Sequence, residues 1–348
     1  MSRTSATAMA PSNSSTDNGI NNSMENLDVG FFVVSTLLSI SGTVGNCLVI
    51  IAVISNRKLH RTHTLFVVNL SIADLFGCIV WLTLCFYGLL KGFSVISELC
   101  ITLVLTMLAV FGVSTINLAL IAVNRFCLIT QKRSTYQKLF TKWHIAWMLV
   151  MSWLWGIITI IPGIYVFSRN TQVSTWTVAL CPTDDSIIKF MGLRHFMSLC
   201  GAVVALSTAT VCYFRIWRAV QRSAQRAYVS DVRRTVSDTN GYNRKRELRL
   251  TRDLCILFTA FSVCVIPYIL FQLIDWNYRL LPLVVHRIGV LLMWTNSVCN
   301  PYFYAWRNRE FRNSARKLLG IIMCKSGKRS EGKSELELNN VKLTTEPF

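Results

Sequence analysis

The feature that most constrains this chain is the uncharged stretch inside Ser97–Thr130, SELCITLVLTMLAVFGVSTINLALIAVNRFCLIT. No residue between Cys100 and Arg125 is charged at neutral pH. At ~1.5 Å per residue the helix between them would run ~38 Å. That exceeds the ~30 Å hydrocarbon core of a bilayer, so the two ends reach opposite faces. A soluble helix of this length would show a polar face, and this one has none.

Similar runs recur at about 29–54, 64–90, 98–123, 143–168, 187–214, 253–274 and 281–306. Only 15% of residues are charged against 52% hydrophobic, below the roughly one-quarter charge of soluble domains. The expected fold is an all-α membrane protein, a seven-helix transmembrane bundle over 29–306. Asp275, Arg279 and Arg287 make the last two runs the least clean. An odd number of spans puts the termini on opposite sides. With the N-terminus outside, 29 of the 36 Lys and Arg fall on inner segments, and the outer segments balance seven bases with seven acids. This positive-inside asymmetry predicts an extracellular N-terminus in the plasma membrane. The net charge of +19 is therefore a topology signal, and bases split among four short segments do not make a nucleic-acid surface.

The tail 1–28 is polar, without a signal-peptide pattern, and predicts an extracellular disordered segment. Asn13 and Asn21 fit the glycosylation acceptor pattern. Most of the twelve cysteines lie in apolar runs, where packing is the default. Cys100 and Cys181 fall in the oxidising outer region, where a disulfide is allowed. Asp74 and Asn46 are polar groups at bilayer depth, and such residues face the bundle interior. Asp74 reads as functional because it is the one carboxylate deep inside a span, whereas a transporter or ion pump would want a relay of several. Trp153 reads equally well as packing. Pro267 should kink the sixth span. After the last span, 307–324 reads as an amphipathic surface helix, with Phe311, Leu318, Leu319, Ile321 and Ile322 against Arg312, Arg316 and Lys317. Cys324 follows as a palmitoylation candidate, and the polar tail 325–348 reads as disordered.

Taken in order, Gly45-Asn46, Leu70-x-x-Ala-Asp74, Cys100 with Cys181, Asn124-Arg125-Phe126, Trp153, Pro267 and Asn300-Pro301-x-x-Tyr304 resemble the rhodopsin-like (class A) G-protein-coupled receptors. Within that family, Cys212-Tyr-Phe-Arg-Ile-Trp217 and Asn124-Arg-Phe are similar to melatonin receptors. Pro282-Leu-Val-Val-His286, Trp294 and Asn308-Arg-Glu-Phe-Arg312 are similar to the medium-chain fatty acid receptor and moody-type insect receptors.

The resemblance implies a receptor and not an enzyme, with a heterotrimeric G protein, arrestin and receptor kinases as partners. It implies a Cys100–Cys181 disulfide holding a loop over the outer mouth. It also implies Arg125 as the group that a G protein engages, with Glu247 as its resting partner. Tyr213 and Tyr304 would turn inward on activation, and Pro267 would be the pivot. Asp74, Ser114, Asn296 and Ser297, with Asn300 nearby, resemble an allosteric sodium pocket, and no other cofactor is implied. Three positions depart from the family pattern. Asn124 replaces the usual acid beside Arg125, Val265 replaces a tryptophan switch, and Ala205 replaces a proline, while Phe261 remains.

Met107, Leu108 and Phe111 would line the ligand site below Cys100, with Met197, Tyr268, Gln272, Val290 and Trp294 as further wall residues. Met107 stands where amine receptors carry an aspartate, which argues against a cationic amine. No lysine lies between Val290 and Trp294, which argues against retinal. Lys189, Arg194, His195, His286 and Arg287 near the outer ends suit a lipophilic ligand with an acidic head. The alternatives are headgroup snorkelling by these bases and a melatonin-like indole ligand.

Overall fold

In the computed structural model the backbone is described over residues 14–60, 62–91, 97–167, 176–178, 181–182, 185–230, 239–275, 280–307, 309–318 and 320, and side-chain surroundings over a narrower set within these. The long helices are α1 (Ser14–Ser55), α2 (Thr62–Lys91), α3 (Ser97–Thr130), α5 (Lys142–Phe167), α6 (Asp185–Ser230), α7 (Thr239–Ile274) and α8 (Leu283–Arg307). They coincide with the seven apolar runs. Two shorter helices lie at one end, α4 (Arg133–Leu139) and α9 (309–318). The fold is thus the all-helical bundle expected, with one small addition. A two-stranded antiparallel hairpin, β1 (Trp176–Val178) and β2 (Cys181–Pro182), sits between α5 and α6.

Among the described residues, five helices are long and apolar enough to cross a bilayer: Val29–Ser55, Thr64–Phe86, Leu105–Thr130, Lys142–Ile161 and Leu199–Arg222. The apolar part of α7, Phe258–Ile274, is shorter. α8 carries Arg287, Asn296 and Asn300 among its apolar residues, which dilutes its hydropathy. These are the two spans that the sequence marks as least clean. Both belong to the bundle by packing, since α8 lies against α1, α2 and α7.

One expectation is corrected. Residues 14–28, expected to form an unstructured tail, continue α1. Adding residues to an already nucleated helix gains a hydrogen bond each without a second nucleation cost. The basic segment 215–252 is largely helix as well, because α6 runs on to Ser230 and α7 begins at Thr239. α9 is amphipathic as expected, and its Phe311 and Ala315 are buried in the main core cluster with Leu59. Asn13 and Cys324 lie outside the described residues. Asn21 falls within α1.

Small residues set how closely the spans approach. A Cβ on Gly156 of α5 would stand 2.8 Å from the Ala109 carbonyl oxygen and 2.7 Å from Val113 Cγ2, both on α3. A Cβ on Gly45 would stand 2.9 Å from Pro301 Cβ. Such contacts let backbones pack where apolar burial gives no preference between helix and lipid. Gly156→Ala should therefore destabilise the detergent-solubilised protein by about 1–3 kcal/mol, seen as a lower Tm. Gly30→Ala, with nothing within 4 Å of the added carbon, should leave Tm unchanged or slightly higher.

Candidate functional site

The centre of the bundle is a hydrogen-bonded carboxylate. Asp74 of α2 is fully buried. Ser114 Oγ of α3 donates to its Oδ1 at 2.9 Å, and Asn300 Nδ2 of α8 donates to its Oδ2 at 2.7 Å. Asn46 of α1 joins from the other side, its Nδ2 donating to the Gly42 and Ser297 carbonyls at 3.0 and 3.1 Å. Four helices therefore meet at one polar cluster. Several buried atoms there have no protein partner: Asn46 Oδ1, Asn300 Oδ1, Ser71 Oγ one turn before Asp74, and Asn296 Nδ2. Three of these four are oxygens around a carboxylate. That donor set fits a hard cation such as sodium.

A second polar chain crosses the bundle. Trp153 Nε1 of α5 donates to Asn69 Oδ1 at 3.0 Å, Asn69 Nδ2 donates to Asn117 Oδ1 at 2.8 Å, and Asn117 Nδ2 donates to the Val113 carbonyl at 2.9 Å. Trp153 was legible as a marker. Asn69 and Asn117 were missed, although an amide at bilayer depth is itself a signal.

Near the C-terminal end of α3, Arg125 and Asn124 are both buried. Asn124 Nδ2 donates to the Tyr136 hydroxyl of α4 at 3.1 Å. Tyr136 stacks on Phe140 at 5.0 Å, and Phe140 meets Phe66 edge-on at 6.5 Å. The asparagine that replaces an acid thus ties α3 to an inner-loop helix that sequence reasoning missed. Tyr213 lies within electrostatic reach of Arg125 and Tyr304 and packs against Phe258 at 5.4 Å. The buried Tyr304 hydroxyl has no hydrogen-bond partner. Phe126 is half-buried against the core that holds Phe261 and Val265. Pro267 sits inside α7 and Pro301 inside α8. The Glu247 side chain lies outside the described set.

Toward the outer end, the expected ligand walls fall in two adjoining groups. Met107, Leu108 and Trp294 pack with Phe31 and Trp81, and Val290 touches both this group and the main core. Phe111 meets Tyr268 edge-on at 6.3 Å, and Gln272 is buried nearby on α7. Trp294 stacks on Trp81 at 5.3 Å with 22° between planes, a pair that the sequence did not single out. Arg194 and Met197 lie in the part of α6 whose side chains are outside the described set. β2, which carries Cys181, packs against α3, which carries Cys100; their side chains lie outside that set as well.

One expectation fails here. His286, expected among the bases for an acidic ligand, is buried with Nε2 3.0 Å from Asp275 Oδ2. The same oxygen accepts from the backbone N–H of Leu280 at 3.0 Å and Leu281 at 2.8 Å. Asp74 is therefore not the only deeply buried carboxylate. Asp275 lies just past the end of α7, so its charge read as a span boundary. Arg287 lies over the Phe31 ring at 5.8 Å.

A bundle of helices long and apolar enough to cross a membrane, with a central polar cluster and a buried arginine near one end, has the build of a multi-pass membrane protein. The model of the seven-transmembrane receptors of the rhodopsin family matches residues 45–304. The chain belongs to that family, and it is a G-protein-coupled receptor rather than an enzyme, transporter or pump. It is similar to the rat melatonin receptor type 1B, 26% identical over 287 residues that cover 80% of this chain and 74% of the relative. The Xenopus laevis melatonin receptor type 1C is 28% identical over 287 residues, 80% of this chain and 64% of that one. The sheep adenosine receptor A3 is 24% identical over 318 residues, 88% of this chain and 95% of that one. Squid rhodopsin shares the fold, with a TM-score of 0.69 at 16% identity over 84% of this chain and 85% of that one.

The Asp275–His286 clasp yields a direct test. Removing one partner of a buried pair strands the other, at a cost of about 3–5 kcal/mol. Asp275→Ala and His286→Ala should each lower Tm markedly, and the double variant should lose less than the sum. Strict additivity in the double-mutant cycle would show that the two groups do not interact.

Proposed function

We propose that this receptor answers a small, neutral, lipophilic ligand from the extracellular side and passes the signal to a heterotrimeric G protein at Arg125. The observation that carries the reading is the chemistry of the walls. Met107, Leu108, Phe111, Tyr268, Gln272, Val290 and Trp294 include no charged residue, and stacked indoles close one side. One base that would have met an acidic headgroup, His286, is engaged within the protein by Asp275. A flat aromatic ligand suits such walls. The melatonin receptors among the relatives support an indole in particular.

The remaining parts of the reading rest on the sequence. The N-terminus is extracellular and the receptor sits in the plasma membrane, as the positive-inside count supports. Glycosylation at Asn13 and Asn21, a Cys100–Cys181 bridge and palmitoylation at Cys324 are consistent with that topology. Arrestin and receptor kinases act on the inner face. A Glu247–Arg125 link restrains the resting state, with Asn124 leaving Arg125 one acid fewer than usual. Sodium binds at Asp74, Ser114, Ser297, Asn296 and Asn300, and when bound supplies a positive charge to a carboxylate otherwise held only by dipoles.

Two experiments test this. The first measures nucleotide exchange on a G protein by the purified receptor against neutral indoles and against fatty acids and lysolipids. Neutral indoles should activate, and Arg287→Gln should change their potency by no more than about twofold. Activation by carboxylate-bearing lipids alone, lost in that variant, would contradict the neutral-ligand reading. The second compares the Tm of the ligand-free receptor in sodium chloride and choline chloride at equal ionic strength. Sodium should raise Tm, and Asp74→Asn should abolish the difference. Equal Tm in the two salts would exclude the cation.

A further inference from the structure

The inner half of α6 carries a pattern that signalling does not use. Val204, Val211, Arg215, Arg218 and Arg222 recur at spacings of seven, four, three and four residues. On a 3.6-residue helix they form a single stripe. All five are exposed, and the buried Ala205, Ala209, Cys212, Tyr213 and Ile216 mark the opposite, core-facing side. The stripe changes from valine to arginine within the last two turns of the apolar span Leu199–Arg222. Beside it Phe214 and Trp217, both more than half exposed, lie 5.9 Å apart, and the Arg218 guanidinium sits 5.3 Å over the Phe214 ring. Exposed aromatics of this kind mark the membrane–water interface, and the ring fixes a guanidinium against the helix.

From this placement we infer that the stripe is a binding surface for an inner-leaflet phospholipid whose headgroup carries additional phosphate monoesters, a polyphosphorylated inositol lipid. Geometry distinguishes it from an ordinary anionic lipid. Arg215 to Arg222 spans ~10 Å of helix, whereas the interfacial layer on each side of a bilayer is only ~5–8 Å thick. A phosphodiester at the glycerol level meets Arg215. Only a headgroup with phosphates further out also meets Arg218 and Arg222, and planar guanidinium groups match phosphate bidentately. A second copy of the chain on this face would set arginines against arginines. The core-facing side of α6 is the one packed toward α3 and Arg125, so a G protein at the inner mouth leaves the stripe facing lipid.

The inference rests on the orientation proposed above, with this end of α6 at the cytoplasmic face. Nanodiscs expose both faces to the same lipid, so an inverted topology would leave the binding result unchanged and would emerge in topology mapping instead. The test uses the full-length receptor in phosphatidylcholine nanodiscs doped with phosphatidylinositol bisphosphate, or with phosphatidylserine at matched charge. Bound lipid is titrated by native mass spectrometry. R215Q/R218Q/R222Q should weaken phosphoinositide binding on the order of 100-fold. Arg309→Gln with Arg316→Gln on α9 should leave it intact. Where the triple variant folds poorly, R222Q alone should cost about fivefold for the phosphoinositide and nothing for phosphatidylserine. Unchanged phosphoinositide affinity in R222Q, equal affinity for phosphatidylserine, or full displacement by stoichiometric soluble inositol trisphosphate would each overturn the assignment.

Discussion

The structure depends on a constraint imposed by the solvent. A bilayer core has no water, so each polar group placed there must find its partner inside the protein. Asp74 meets this constraint with donors from two other helices, Ser114 on α3 and Asn300 on α8. Because lipid tails are as apolar as the side chains, apolar burial does not choose between helix and lipid as neighbour. Directional bonds and close backbone contacts make the choice, and they fix which helices adjoin and in what register. The Trp153–Asn69–Asn117 chain does the same for α5, α2 and α3.

The same polar groups give the bundle something to switch. A fully satisfied apolar core has one arrangement, whereas a cluster with leftover acceptors can exchange partners. Asn46 and Asn300 at the central carboxylate, and Tyr304 beyond it, all retain unpartnered buried atoms. Arg125 waits at that mouth, and the bond from its neighbour Asn124 to Tyr136 joins its helix to α4. The outer end is built differently. The Asp275–His286 clasp gathers two backbone amides and a side chain onto one oxygen, which ties the end of α7 to the start of α8.

The architecture was legible because a span needs only length and the absence of charge. Asp74, Asn300 and Arg125 were legible because polar residues stand out against an apolar background and match an ordered set of motifs. Other features escaped for physical reasons. Trp81, the stacking partner of Trp294, lies on a helix without a polar face, so no periodicity tells an inward aromatic from one facing lipid. Asp275 and His286 sit at a span's end, where a charge reads as a boundary. Tyr136 lies in a seven-residue helix too short to show a pattern. Residues 14–28 are polar and read as coil, yet they are helix continuing from a span.

The most direct test is a reciprocal exchange at the central bond. In the purified receptor, Asp74→Asn and Asn300→Asp are made singly and together, and thermal stability and nucleotide exchange are measured for each. If the bond between α2 and α8 organises the bundle, each single variant loses both properties, and the swapped pair, which restores one carboxylate and one amide at the same contact, regains them in large part. A double variant as impaired as the sum of its parts would show that the two groups act separately, and the account built on their union would fail.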